Sequence, residues 1–295
     1  MSFFWALRAS THIKANPRLR AKFVLEALRR PKLAQQLAAA DASSPLGSIL
    51  SERPETVGAL LWPYQCSAWA PEERFTRMVG HIEALSGIPG LSLLPDEKLL
   101  LLDLSSTSPG VRVIMDRPAW LAREGLLTLS LFKDDFRAFT VSFSILDGTD
   151  RSLFIGGIQG RNDDDILSLY RDLTKDFHGL RPRDLLLEAL RLFAVRLGAK
   201  HIFAVADDHK TSRHSYFGTG SAPGLFYDEI WLDRGATRVA KTHFELPMEG
   251  SRRDLQEVSS KKRSMYRKRY DMLDQIAAAM PADFRMVKRT QFDAG

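Results

Sequence analysis

The stretch RAFTVSFSIL (137–146) alternates apolar and polar residues without a break: Phe139, Val141, Phe143 and Ile145 fall on one face, Thr140, Ser142 and Ser144 on the other. A period of two marks a β-strand. KLLLLDL, VRVIMD, GLLTLSLF and RSLFIGGIQG lie around it with short polar breaks, and LDGTD supplies the Asp-Gly of a hairpin loop. The middle of the chain is therefore predicted as meandering antiparallel strands rather than strand–helix–strand units.

A helical period governs the flanks. KANPRLRAKFVLEALRRPKLAQQLAAAD sets Leu19, Phe23, Ala27 and Leu28 on one stripe, with Pro17 near the start and Pro31 placed to divide the helix. DASSPLGS reads as a linker or tight loop. In the next helix Pro71, Glu72 and Glu73 suit a first turn and Gly87 a C-terminal cap. Its apolar stripe is Phe75, Met78, Val79, Ile82 and Leu85, which leaves Arg74, Arg77 and His81 opposite and His81 at the surface.

Beyond the strands, NDDDILSLYRDLTKDF reads as a helix capped by Asn162, LRPRDLLLEALRLFAVRLG as a second helix, and KHIFAVAD as a buried strand. LFYDEIWLD and KTHFELP are further strand candidates. RRDLQEVSSKKRSMYRKRYDMLDQIAAAM is predicted as one long charged helix, and FRMVKR as a strand closing the sheet. The sum is an α+β fold: a mixed, largely antiparallel central sheet flanked by helices over 91–295, behind a basic helical region at 1–90.

Composition narrows the class without naming a reaction. The 295 residues are 44% hydrophobic and 26% charged, ordinary for a globular chain. One cysteine, Cys66, excludes an intramolecular disulfide framework and a Cys-cluster metal site, and the seven histidines show no zinc-ligand spacing, so no metal is expected. No apolar run reaches the ~18 residues of a membrane span, and MSFFWALR lacks a cleavage site, so the cytoplasm is the expected compartment. The net charge of +6 favours acidic partners. From Arg8 to Lys32, eight Lys/Arg face the single acid Glu26, beside Phe3, Phe4 and Trp5. That is either a solvated helix face or a peripheral membrane contact.

Three stretches carry candidate chemistry. HGLRPRDLL joins Gly179, able to approach a ligand closely, to a helix start flanked by Arg181 and Arg183, where an anion is favoured. Lys175 and His178 lie just before it. The competing reading is a structural network in which the arginines hold Asp172, Asp176 or Asp184. ADDHKTSRHSYFGTGS follows the buried strand and concentrates Asp207, Asp208, His209, Lys210, Arg213, His214 and Tyr216 where α/β proteins place chemistry. KKRSMYRKR packs six basic residues into nine. It is open to a phosphate contact but lacks the aromatic platforms of single-strand binding, and no specific DNA binding is expected. GGIQG has neither Rossmann nor Walker A spacing, and its glycines mark a bulge or a close approach.

WPYQCSAW with RMVGHIEAL, EGLLTLSLF, FTVSFSIL, FIGGIQG, LTKDFHGLRPRDLLLEALRLFAVRLGAKHIFAVAD and KKRSMYRKRYDML together resemble the VirK/YbjX family of bacterial proteins, over about residues 60–273. The resemblance implies a context of virulence and envelope stress rather than a reaction. The order of antiparallel strands, glycine bulge, basic helix mouth and buried strand is also similar to the GNAT acyltransferase core. That likeness implies an acyl- or aminoacyl-transferase acting on an envelope-related amine or hydroxyl. Gln159, Lys175, Gly179, Arg181 and Arg183 would then hold acyl-CoA or another phosphate-bearing donor, with acyl carrier protein or charged tRNA as donor partners. His178 or Asp208 would be the base and Tyr227 or Tyr216 the acid. The GNAT turn carries two glycines, whereas here there is one, followed by Pro182, which weighs against acyl-CoA itself. The alternative is a non-enzymatic protein for anionic lipid or nucleic acid.

Overall fold

The computed structural model describes residues 2–14, 16–161, 166–218 and 225–291. Five helices come first: α1 (Ser2–Ala9), α2 (Pro17–Arg29), α3 (Pro31–Ala39), α4 (Pro45–Glu52) and α5 (Pro71–Ser86). Five strands follow: β1 (Glu97–Asp103), β2 (Val111–Asp116), β3 (Leu127–Lys133), β4 (Phe136–Leu146) and β5 (Ser152–Gly160). Then come α6 (Ile166–Asp176), α7 (Pro182–Arg196), β6 (His201–Val205), α8 (Tyr227–Asp233), β7 (Thr237–Arg238), β8 (His243–Leu246), α9 (Ser260–Ala279) and β9 (Arg289–Gln291). The fold is α+β.

Proline and short polar side chains set the helix starts. Asn16 accepts from the N–H groups of Arg18 and Leu19 at 3.0 and 3.2 Å while Pro17 occupies the first helical position. Pro31 ends one helix and opens the next, as its missing N–H requires. Ser44 caps α4 through the N–H of Gly47 at 3.1 Å. The PLGS of the expected loop is thus helical, because Ser-Pro is as good a helix start as a loop signal.

The described strands form one sheet in the order β7-β8-β6-β5-β4-β3-β2-β1-β9. Every neighbouring pair is antiparallel except β5–β6, which is joined through α6 and α7. The apolar face of β4 packs against α7, with Phe143 and Phe193 ring centroids 5.8 Å apart, and Phe193 in turn meets Phe284 at 5.5 Å. The opposite row of Thr140, Ser142 and Ser144 is buried as well. The hydroxyls of Tyr64 and Ser144 meet there at 2.5 Å. A second core holds α1 to α4 together with Tyr64, Phe75 and Met78, while Ala84 and Leu85 at the far end of α5 belong to the sheet core.

Several sequence expectations change. His81 is buried, with Nδ1 accepting the Ile145 N–H at 3.0 Å, because the sheet covers the face of α5 that looks polar in isolation. Arg74 on that helix is buried too, donating to the carbonyls of Ala59, Trp62 and Trp69 at 2.8–3.0 Å. LFYDEIWLD is not a strand: Tyr227, Ile230 and Trp231 bury one helical stripe of α8. The charged helix begins at Ser260 rather than near Arg252. Phe284–Met286 forms a 3-10 turn, and the closing strand is β9, a few residues later. The Asn162 cap lies outside the described residues.

Candidate active site

The site is built around an extra residue in β5. Ser142 pairs with Gly157 and Phe143 with Ile155, so Gly156 is a β-bulge, a device that bends a strand and re-aims its end. Two segments press onto it. A β-carbon on Gly156 would lie 2.2 Å from the carbonyl oxygen of Glu124 and 2.9 Å from Cα of Gln65. One on Gly157 would lie 1.9 Å from Oε2 of Glu124. Both glycines are there because other groups need the space.

Glu124 sits at the head of the β3 run. Its Oε1 accepts from Nε2 of Gln159 at 2.7 Å. Its Oε2 is enclosed and has no hydrogen-bond partner. Burial raises the carboxyl pKa to about 7, against the Gln159 hydrogen bond and the charge of Lys210, which pull it down. Near neutrality this carboxyl is therefore present in both its protonated and its ionised form.

Gln65 closes the other side. Its φ of 55° is left-handed, and its N–H donates to the Arg123 carbonyl at 2.7 Å. Its Nε2 donates to the Phe154 carbonyl at 2.9 Å, and its Oε1 is buried without a donor. Two buried acceptor oxygens, one each on Glu124 and Gln65, are thus left without a donor on residues that touch one glycine bulge. Neither residue was singled out by sequence reasoning. The available signal was a lone acid just before an apolar strand run, and a glutamine in a Trp-Pro-Tyr-Gln turn.

Past Ile155 and Ala204 the pairing of β5 with β6 stops, although β5 runs on to Gly160. Tyr227, the first residue of α8, occupies that edge. Its hydroxyl accepts from the Ile158 N–H at 3.0 Å and donates to the Ile158 carbonyl at 3.2 Å. Burial, with Glu124 nearby, pushes its pKa up, so it stays protonated. The Tyr227 N–H donates to Oδ1 of Asp207 at 3.1 Å, and Lys210, itself buried, bridges the same oxygen at 2.9 Å. Burial would raise the Asp207 pKa, but Lys210, the Tyr227 N–H and Arg213 outweigh it and hold it low.

The basic motif divides. His178 and Gly179 both adopt positive φ, 51° and 80°, closing α6. The His178 carbonyl is held by Nε and Nη2 of Arg269 at 3.0 and 2.9 Å, which joins HGLRPR to KKRSMYRKR. Lys175, His178 and Gly179 line a cleft of about 560 Å³ with Lys261, Ser264 and Lys268 of α9. Arg181 and Arg183 instead line a cavity of about 390 Å³ with Phe226, Glu229 and Asp233. Arg183 pairs with Asp184 at 3.2 Å, Lys175 with Asp172 at 2.8 Å, and Asp176 accepts the Ser108 hydroxyl at 2.7 Å. The structure therefore brings Gln159 and Tyr227 to one strand end, sets His178, Lys175 and Gly179 in a second place, and Arg181 with Arg183 in a third. Asp208 is exposed on the 3-10 turn after β6. Among the described residues no group of three His, Cys, Asp or Glu is placed to hold a metal ion, and no helix is long and apolar enough to cross a membrane.

The pattern of a family described as "Protein of unknown function (DUF535)" matches residues 13–282. Curated relatives include "Uncharacterized protein YbjX" of Escherichia coli, 37% identical over 136 residues, which is 46% of this chain and 41% of that protein. An uncharacterized protein of Haemophilus influenzae is 33% identical over 155 residues, 52% of this chain and 51% of its own length. The chain thus spans about half the length of the curated relatives it matches. No solved structure matches.

Proposed function

The chain belongs to the DUF535 family, and for it we propose an acyl- or aminoacyl-transferase acting on an amine or hydroxyl acceptor, with Glu124 as the base. The observation that carries this reading is the enclosed Glu124 carboxyl, held near pKa 7 with Oε2 unpaired, beside the end of β5, whose pairing with its parallel neighbour has stopped. A base matched to neutral pH is what an acceptor amine or hydroxyl needs as it attacks. The likeness to a GNAT core is supported by the antiparallel strands, the Gly156 bulge, the crossover through α7 and the buried β6.

The acceptor nitrogen or oxygen attacks the acyl carbonyl carbon and gives its proton to Glu124. The new C–N or C–O bond forms as the bond to the donor's sulfur or oxygen breaks, and the leaving thiolate or alkoxide takes a proton from solvent; Tyr227 is not the acid, because its hydroxyl is committed to the Ile158 N–H and carbonyl and burial holds its proton in place. Glu124 replaces His178 and Asp208 in this role, since His178 faces the α9 cleft and Asp208 faces solvent. The donor phosphate is assigned to Arg181 and Arg183, which share one cavity, whereas Lys175 lies in the separate α9 cleft and leaves this role; acyl-CoA, acyl carrier protein and charged tRNA all present a phosphate.

The test is donor consumption with acetyl- and palmitoyl-coenzyme A, acyl carrier protein thioester and aminoacyl-tRNA, against a panel of amines and alcohols. Transfer should rise with pH through about 7 and be lost in Glu124→Gln while binding of the donor persists. No transfer from any of these donors by the wild type would end the reading. A second, non-enzymatic reading rests on the cleft of Lys175, His178, Lys261 and Lys268, which no carboxylate lines, and on exposed Phe3 and Phe4. It calls for anionic-vesicle binding that Lys261→Glu/Lys268→Glu abolishes and Glu124→Gln leaves alone.

A further inference from the structure

A separate pocket of about 380 Å³ opens where the helical layer meets the loop before β3. It lies within the size range of small-molecule sites. Its flat walls are Trp62, Trp120 and Tyr216, and its cations are Arg53, Arg123, Lys14 and His12. The Arg123 guanidinium carbon stands 5.5 Å from the Trp62 ring centroid, 5.7 Å from Tyr216 and 5.2 Å from Phe217. Among the described residues no carboxylate pairs with Arg123 or with Arg53 within salt-bridge distance, although most of the chain's other half-buried arginines hold an acid.

Arg53 sharpens the point. It is only 9% exposed, donates through Nη2 to the Arg117 carbonyl, and has the Arg117 charge beside it. Arg117 is neutralised by Glu52 at 2.9 Å; Arg53 is not. A near-buried guanidinium in no direct ion pair, offset only by the more distant charges of Glu55 and Glu52, is costly, and an anion in the pocket reduces that cost. Trp120, in contrast, leaves 59% of its surface exposed at the mouth, a large ring standing open beside those cations.

We propose that this pocket binds a nucleoside monophosphate, the base stacking on Trp120 and Tyr216 and the phosphate meeting Arg123 and Arg53. Guanidinium forks match phosphate oxygens, and indole, phenol and arginine planes are the surfaces on which bases stack. Thr56 and Glu55 on the wall supply polar partners for sugar hydroxyls. An anion without a ring leaves the aromatic wall bare, and a ring without an anion leaves Arg53 unpaired, so the two features together select a ligand that has both. The site requires no transfer chemistry and stands whether or not the Glu124 reading holds.

Titration of the full-length protein with AMP and CMP, followed by calorimetry and tryptophan fluorescence, tests it. One-to-one binding of at least one nucleotide is expected, with both adenosine and inorganic phosphate about tenfold or more weaker than AMP. Trp120→Ala and Arg123→Gln, both near the surface, should each weaken binding about tenfold while far-ultraviolet dichroism and melting stay as in the wild type. Three results overturn the proposal: no nucleotide binding at millimolar concentration, binding that both variants leave unchanged, or phenyl phosphate binding as tightly as AMP.

Discussion

Oε2 of Glu124 lies where a β-carbon on residue 157 would be, 1.9 Å from the position that Gly157 leaves vacant. An acid before β3 and a glycine in β5 are therefore one feature, separated by 33 positions in the chain. Gly157→Ala should destabilise the protein by about 1–3 kcal/mol, the usual cost of forcing atoms into a packed site. Combining it with Glu124→Ala should return part of that loss, because the second change removes the carboxyl atoms at 1.9 and 2.4 Å and leaves only Cβ, at 2.9 Å. Urea denaturation of the four proteins in this cycle checks the coupling, and strictly additive effects would separate the two residues.

Glu124 also sets a pH dependence. Its folded pKa, about 7, lies above the ordinary 4.5, so the unfolded chain ionises first. Stability from this group is fully present below pH 4.5, falls as pH rises, and is gone above about 7. The integrated loss is on the order of 3 kcal/mol. Glu124→Gln should flatten that segment of the stability–pH curve and be relatively more stable at pH 8 than at pH 5. A variant whose difference curve shows no slope between these pH values would mean that Glu124 is not buried as described.

His81 has the opposite sign. Burial, helped by the Arg117 charge, drops its pKa to about 3 from 6.5, so the unfolded chain takes up a proton that the folded one refuses. This contribution is complete above pH 6.5 and is lost as pH falls towards 3. His81→Asn should shrink the acid-side loss by several kcal/mol in extrapolated terms, at some cost at pH 7 from the lost Ile145 hydrogen bond. The His81 and Glu124 effects oppose each other between pH 4.5 and 6.5, so each must be read from its own difference curve.

His81 shows what periodicity alone gets wrong. On α5 it shares a stripe with Arg74 and Arg77, and nothing local distinguishes a polar stripe facing water from one facing a strand. The β4 alternation was legible because a period of two needs only neighbours. The paired glycines of β5 were legible as a bulge, but what they make room for comes from Gln65 and Glu124, which no local window contains. Tyr227–Asp233 misled for a related reason. Its aromatic content suits a strand, whereas Asp228 and Glu229 in the first turn and the spacing of Tyr227, Ile230 and Trp231 suit a helix. The Arg181–Arg183 pair marked a helix start correctly, yet the side chains turn to a cavity shared with Glu229 and Asp233 rather than to the lysine cleft.

Arg269 offers the last prediction. Its guanidinium grips the His178 carbonyl with two donors and lies 4.5 Å from the Tyr266 ring centroid, so it ties the left-handed turn after α6 to α9. Lysine keeps the charge but offers a point donor in place of a planar fork. Arg269→Lys should therefore cost about 1 kcal/mol globally. The larger effect should be local, in hydrogen exchange of the Gly179 amide, which is bonded to the Thr174 carbonyl at 2.7 Å. If that amide exchanges as slowly in Arg269→Lys as in the wild type, the turn is held by α6 and α7 alone, and α9 only rests against it.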